Sequence, residues 1–296
     1  MRYDLVEGAI DLHVHSSPDV LPRKMNDLEL ARRFKTAGMA GYCLKSHYFC
    51  TSERADLVNM VYPGFRAMGG IVLNSTVGGI NPAAVELAAI SGAKIIWLPT
   101  CDSAYEQEHI FGENADIARK LPFWAKIVIN LKEQNIHCPT ITLTKDGQLR
   151  SEVEDVMRIA GKNNMVLATA HISHEETFAV AKAVKKTGVE KLLITHVTFP
   201  TTFYTIEEQK KLVSYGAYME HCATTHILGK VDFDVVLSQI RAIGPERIVI
   251  STDLGQSANP YPDEGLIDFA ERLHRSGFST SDIRMMIADN PNKLTQ

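Results

Sequence analysis

No stretch of this sequence approaches the roughly 20 consecutive apolar residues that a membrane-spanning helix needs. Cysteine is sparse. Cys43, Cys50, Cys101, Cys138 and Cys222 are odd in number and lack the paired spacing of a zinc ribbon, which argues against a disulfide framework and for a reducing compartment. Neither sign of charge dominates: a formal net charge of −4 and a pI near 6.3 give no global attraction for nucleic acid or an anionic membrane. No linker, low-complexity segment or block of like charge divides the chain. The opening MRYDLVEGAIDLHVH lacks the long apolar core of a secretory leader and reaches acidic residues at once. These absences lead to the expectation of a cytoplasmic protein with no nucleic-acid or membrane partner.

What is present is a globular composition, 45% hydrophobic and 22% charged over 296 residues, enough to bury one large core. One theme recurs along it: a short apolar run, a polar junction, an amphipathic stretch, another apolar run. The runs at 8–15, 39–46, 68–74, 93–100, 165–171, 191–196, 216–222 and 247–253 read as strands, and their β-branched, continuously apolar character suits a parallel sheet buried on both faces. The stretches 26–38 and 175–188 read as helices ending at glycine. Ser173 with Glu176, and Thr205 with Glu208, have the spacing of a capping box and mark two helix starts.

Eight strands alternating with helices predict a (β/α)₈ TIM barrel, with the whole chain, 1–296, as a single domain. The segment 138–151 breaks the alternation and reads as a β-hairpin turning at Lys145-Asp146-Gly147, inserted between units 4 and 5. An open, doubly wound sheet is the competing architecture.

The chemistry is concentrated where strands end. In Asp11-Leu12-His13-Val14-His15, alternation along a strand turns His13 and His15 to one face, with Leu12 and Val14 on the other. His171 ends the fifth strand, His196 the sixth and Asp253 the eighth, while Lys45 and His47 follow the second. In a parallel barrel these ends converge on one face, where barrel enzymes carry out their chemistry. Scattered core histidines have no reason to collect there, so the set points to a shared metal site.

On these residues the sequence resembles the amidohydrolase superfamily, and within it the phosphotriesterase-like branch. That pattern has an HxH after strand 1, a histidine after each of strands 5 and 6, and an aspartate after strand 8; His13, His15, His171, His196 and Asp253 match it. The closing segment with Asn290, Pro291 and Leu294 is similar to the family's Asn-Pro-x-x-Leu helix. The resemblance implies a metal-dependent hydrolase whose ion is held by His13, His15, His171, His196 and Asp253. It departs at the lysine that bridges two metals after strand 4, where this chain reads Leu98-Pro99-Thr100-Cys101-Asp102. Cys101 or Asp102 is one replacement and Lys45 another, either as a carbamate ligand or as a cation for an anionic substrate group.

The mixed His/Asp set suits Zn²⁺ best, one ion or two, with Mn²⁺, Fe²⁺, Ni²⁺ and Co²⁺ as alternatives. Asp253 is expected to ligate the metal and take the proton of the attacking water, with His47 and Lys45 as further catalytic candidates. Arg23, Lys24, Glu220 and His221 are candidate contacts to a small-molecule substrate, whose scissile bond is an amide, lactone, ester or phosphoester. A metal-dependent decarboxylase or isomerase on the same barrel is the first rival. A phosphoesterase of the histidinol-phosphatase type shares the DLHxHS opening but needs a late Asp-x-His, which Asp253-Leu254-Gly255 lacks. A non-catalytic metal-binding barrel is the third. Assembly as a homo-oligomer is an expectation from such barrels in general.

Overall fold

The computed structural model describes residues 2–113 and 121–296. Within them the chain alternates strands and helices, and the eight apolar runs all form parallel strands. These are β1 (Ile10–Val14), β2 (Gly41–Leu44), β3 (Arg66–Met68), β4 (Gly70–Val72) and β5 (Ile95–Trp97). After β6 (Thr144–Lys145) and β7 (Gln148–Leu149) come β8 (Val166–Ala168), β9 (Leu192–Ile194), β10 (Tyr218–Cys222) and β11 (Ile248–Ser251). β3 and β4 are one run interrupted at Gly69, where an added Cβ would lie 2.4 Å from the Ser52 backbone. Within 138–151, β6 and β7 pair antiparallel through Thr144 with Leu149 and Lys145 with Gln148.

The ladder is not one continuous ring. It forms two sheets, in the orders β1-β2-β3 and β11-β10-β9-β8-β5-β4, parallel throughout. The break at Gly69 separates them on one side. On the other, β1 and β11 are joined through backbone bonds beyond the strand ends: Asp253 N–H donates to His13 O at 2.7 Å, and His15 N–H to Leu254 O at 2.8 Å. An α/β fold of parallel sheets is therefore the architecture observed.

Side chains pack in two layers. Ile10, Leu12, Cys43, Val72, Ile95, Trp97, Val166, Ala168, Leu193, Tyr218 and Val249, taken from successive strands, form an inner cluster. A larger cluster fills the space between the outer faces of the strands and the helices, including Val14, Leu44, Ile96, Leu167, Ile194, Met219 and Ile250. The helices start where the sequence indicates: capping boxes form at Ser173/Glu176 and Thr205/Glu208, and also at Asn26/Glu29. No described helix is long and apolar enough to cross a membrane.

Candidate metal centre

β1 does not alternate regularly, and this irregularity sets the site. Leu12 joins the inner cluster and Val14 the outer one, so the two do not share a face. The pairing with β2 slips between Asp11 and Val14. The buried Asp11 carboxylate spans the slip, accepting from His13 N (3.1 Å), Thr252 N (3.0 Å) and Thr252 Oγ1 (2.6 Å). It thereby ties β1 to β11. Burial pushes its pKa up to about 7. After the slip, His13 and His15 both turn inward, their ring centres 5.6 Å apart.

Asp253 meets both. Its Oδ1 lies 3.2 Å from His13 Nε2 and 3.0 Å from His15 Nε2, while Oδ2 accepts from Thr224 Oγ1 at 3.1 Å. His15 Nδ1 faces the Lys45 carbonyl at 2.8 Å, a group that only accepts, so Nδ1 carries the proton. Burial pushes the His15 pKa down to about 4, which keeps the ring neutral and leaves a lone pair on Nε2. Two acceptors then confront each other at 3.0 Å, an arrangement that repels unless a cation lies between them. Asp253 stays ionised. Burial pushes its pKa up, but His13 outweighs that and holds it well below the usual carboxylate range.

The other two histidines close the ring. His196 stacks on His13 at 5.4 Å and meets His171 edge-on at 4.7 Å. Donor atoms of His13, His196 and Asp253 all fall within 4.8 Å of one another. His196 Nδ1 is buried without a hydrogen-bond partner, as a ligand atom lacking its ion would be. Burial, then His171, pushes the His196 pKa far down. His196 (φ 29°), Asp253 (φ 52°) and Ala170 beside His171 (φ 52°) adopt the left-handed backbone that non-glycine residues avoid. Such strain concentrates at functional sites. The residues present thus fit a divalent ion: buried imidazoles, His15 among them held neutral, converge with one ionised carboxylate.

Glu220 lies beneath the ring. On β10, Tyr218 faces the inner cluster and Met219 the outer, so Glu220 and Cys222 continue inward. Glu220 Oε2 lies 3.3 Å from His13 Nδ1, fixing the proton there and turning Nε2 toward Asp253. By the same alternation His221 turns toward the helices, where both ring nitrogens are buried without partners; it does not line the site. Lys24 is also elsewhere, its Nζ 4.7 Å over the Tyr261 ring. Asp102 accepts from Ser75 N at 2.7 Å rather than reaching the histidines. The charge of Arg23 acts on His15, while its guanidinium pairs with Asp19, and His47 adjoins the centre. His47 stacks on His15 at 5.3 Å and its Nδ1 meets Thr100 Oγ1 at 3.0 Å.

Lys45 lies at the heart of the ring, its Nζ 3.1 Å from His13 Nε2 and 5.6 Å from the Trp97 ring centre. Burial lowers its pKa, and Asp253 and Glu220 offset part of that. Sequence reasoning missed Glu106, on the helix Ala104–Phe111 that follows β5. It is 2% exposed, with Oε2 3.1 Å from His171 Nδ1. A glutamate inside an amphipathic helix carries no local signal; only the fold brings it to His171.

A family model described as "Family of unknown function (DUF6282)" matches residues 8–220, well over half of the chain. No curated protein matches. Among solved structures, an amidohydrolase from Pseudomonas aeruginosa superposes with a TM-score of 0.65 at 10% identity, covering 99% of this chain and 97% of that one. The organophosphorus hydrolase of Deinococcus radiodurans gives 0.58 at 13%, covering 98% and 92%. The lactonase Lmo2620 of Listeria monocytogenes gives 0.55 at 11%, covering 99% and 96%. At such identities the likeness is one of fold, an α/β arrangement of parallel strands.

Proposed function

We propose that this chain, which belongs to the DUF6282 family, is a metal-dependent hydrolase of small molecules. The observation that carries the reading is the approach of His15 Nε2 to Asp253 Oδ1, two facing acceptors at 3.0 Å with His13 Nε2 only 3.2 Å from the same oxygen. His13, His15, His196 and Asp253 hold the ion, and His171 completes the ring. Zinc suits this donor set best, with manganese, iron, nickel or cobalt as alternatives. Glu106, beside His171 Nδ1, supplies the acid on the side where the phosphotriesterase-like pattern has its lysine.

An ion bound here supplies Lewis acidity, lowering the pKa of a coordinated water from about 15.7 toward 7 and polarising the scissile carbonyl or phosphoryl oxygen. The protein's own groups do the rest. Asp253 is ionised and takes the proton of the attacking water, then delivers it to the leaving group. Thr224 donates to Oδ2 and so holds the orientation of the carboxylate. Lys45 competes for space beside His13 Nε2, so with an ion present it would give up its proton, or as the neutral amine add dissolved CO₂ and release a proton to form a carbamate; the lowering of its pKa by burial favours both. The eight parallel runs are then the strands of a (β/α)₈ barrel, with the site at its C-terminal mouth. A cytoplasmic setting and a homo-oligomer complete the proposal.

The reading is tested by metal analysis together with hydrolysis of a panel of lactones, esters, amides and phosphoesters in H₂¹⁸O. Protein loaded with zinc or manganese is expected to place ¹⁸O in one product. Asp253→Asn is expected to keep its ion and lose turnover by about 10²-fold or more. Near-normal turnover in Asp253→Asn rejects its role as base. A product formed with loss of CO₂ and no ¹⁸O identifies a decarboxylase instead.

A further inference from the structure

Beyond the metal ligands, Arg23 Nη2 and the Tyr48 hydroxyl are buried without a hydrogen-bond partner among the described residues. The loop carrying Arg23 is tied to the loop that leaves Asp253: Arg23 bridges Gln256, and Lys24 N–H donates to Gly255 O at 2.8 Å. Its guanidinium, 3% exposed, turns inward to the fully buried Asp19. Nε donates to Asp19 Oδ2 at 2.7 Å. Nη2 lies 2.6 Å from the same oxygen, but without the angle of a hydrogen bond, and is buried with no partner of its own. The other oxygen of Asp19 accepts from Ser46 Oγ at 3.2 Å, and Ser46 Oγ accepts from Tyr48 N at 3.3 Å. The pair is thus fixed against the loop that follows β2.

Tyr48 is the second donor. It is 5% exposed, and its hydroxyl is buried without a hydrogen-bond partner. Burial pushes its pKa up, so the hydroxyl keeps its proton, with Asp19, Arg23 and Asp102 among the charged groups that act on it. His47, the next residue back, stacks on the ligand His15. The charge of Arg23 reaches both of those rings.

A buried guanidinium N–H and a buried phenol with nothing to bond to are costly unless a ligand completes them. Resting on the hydrolase reading for its place beside the reacting bond, we propose that Arg23 and Tyr48 form an anion subsite for a carboxylate carried by the substrate. A carboxylate fits better than a phosphate. Asp19 already neutralises Arg23, so the subsite offers donors rather than net positive charge, and the second charge of a phosphate dianion would be repelled by Asp19 and Asp102. The substrate class is then an ester, lactone or amide bearing a free carboxylate close to its scissile bond.

The test is calorimetric titration of acetate, acetamide and inorganic phosphate into the full-length protein, both as purified with its metal and after chelation. Acetate is expected to bind wild-type protein in both states, and acetamide in neither. Tyr48→Phe is expected to weaken acetate about tenfold, and Arg23→Lys by more, because the planar fork is lost. Metal content is expected to stay unchanged in both variants. Arg23→Gln leaves Asp19 buried without its partner and risks the fold, so Tyr48→Phe, which removes one oxygen that nothing in the protein holds, is the decisive variant. Equal acetate affinity in wild type and Tyr48→Phe overturns the proposal, as does acetate binding that vanishes on chelation. Phosphate binding in place of acetate, with the same dependence on Arg23, overturns the choice of carboxylate. The two readings fail separately: wild-type protein that takes up no ion but binds acetate through Tyr48 loses the hydrolase and keeps the subsite.

Discussion

At the scale of single residues, the site is a set of proton positions fixed by neighbours. His15 has its Nδ1 proton held by the Lys45 carbonyl, and His13 has its own held by Glu220, so both present Nε2 to Asp253. Glu220 is fully buried and ionised: burial raises its pKa, but His13 and other neighbours outweigh this and lower it. A carboxylate behind a ligating imidazole raises its basicity and holds its ring, and losing it typically costs 10–100-fold in metal affinity. Glu220→Gln is therefore expected to weaken zinc binding by about that factor, read by competition with a chromophoric chelator. The amide still accepts from Nδ1 but carries no charge. Unchanged zinc affinity with an unchanged melting temperature would show that Glu220 only fills space.

At the scale of elements, the strand ends position these residues, and most of them were legible in the chain. Apolar runs ending in His171, His196 and Asp253 are local patterns, and so are the capping boxes at Ser173 and Thr205. What was not legible depends on contacts distant in sequence. The slip in β1, pinned by Asp11 to Thr252, turns Val14 to the outer layer and the two histidines inward after Ile10 and Leu12 have faced the inner one, and no periodicity in five residues encodes that. The same limit hid Glu106, and made His221 look as suitable as Glu220 although one residue of alternation separates inward from outward. The break at Gly69 splits a run that reads as one strand.

The loop after β11 gives the sharpest test at this scale. Gly255 has φ 131°, and an added Cβ would lie 1.7 Å from His15 O. Side chains are strained there whatever the space, at about 1–3 kcal/mol from the backbone alone. Gly255→Ala is expected to lower stability by at least that, measured by urea unfolding, and to reduce metal affinity because the loop also positions Asp253 and the bridge from Arg23 to Gln256. Wild-type stability and affinity in this variant would mean that the loop packs differently against β1.

At the scale of the molecule, two parallel sheets are brought together by the groups that make the site: Asp253 N–H on the His13 carbonyl, His15 N–H on the Leu254 carbonyl, and Asp11 across both strands. Joining the edge strands and assembling the ligands are one event, so residues 240 positions apart, His13 and Asp253, meet only in the folded chain. The fold is shared with proteins named for different reactions, an organophosphorus hydrolase and a lactonase among them, so it does not choose the substrate. The most direct test is a crystal structure of zinc-loaded protein with anomalous data collected above the zinc absorption edge. The account predicts a peak about 2.0–2.2 Å from the His13 and His15 Nε2 atoms and an Asp253 oxygen. A map with no peak there, and Asp253 hydrogen-bonded directly to a protonated His15, would contradict it.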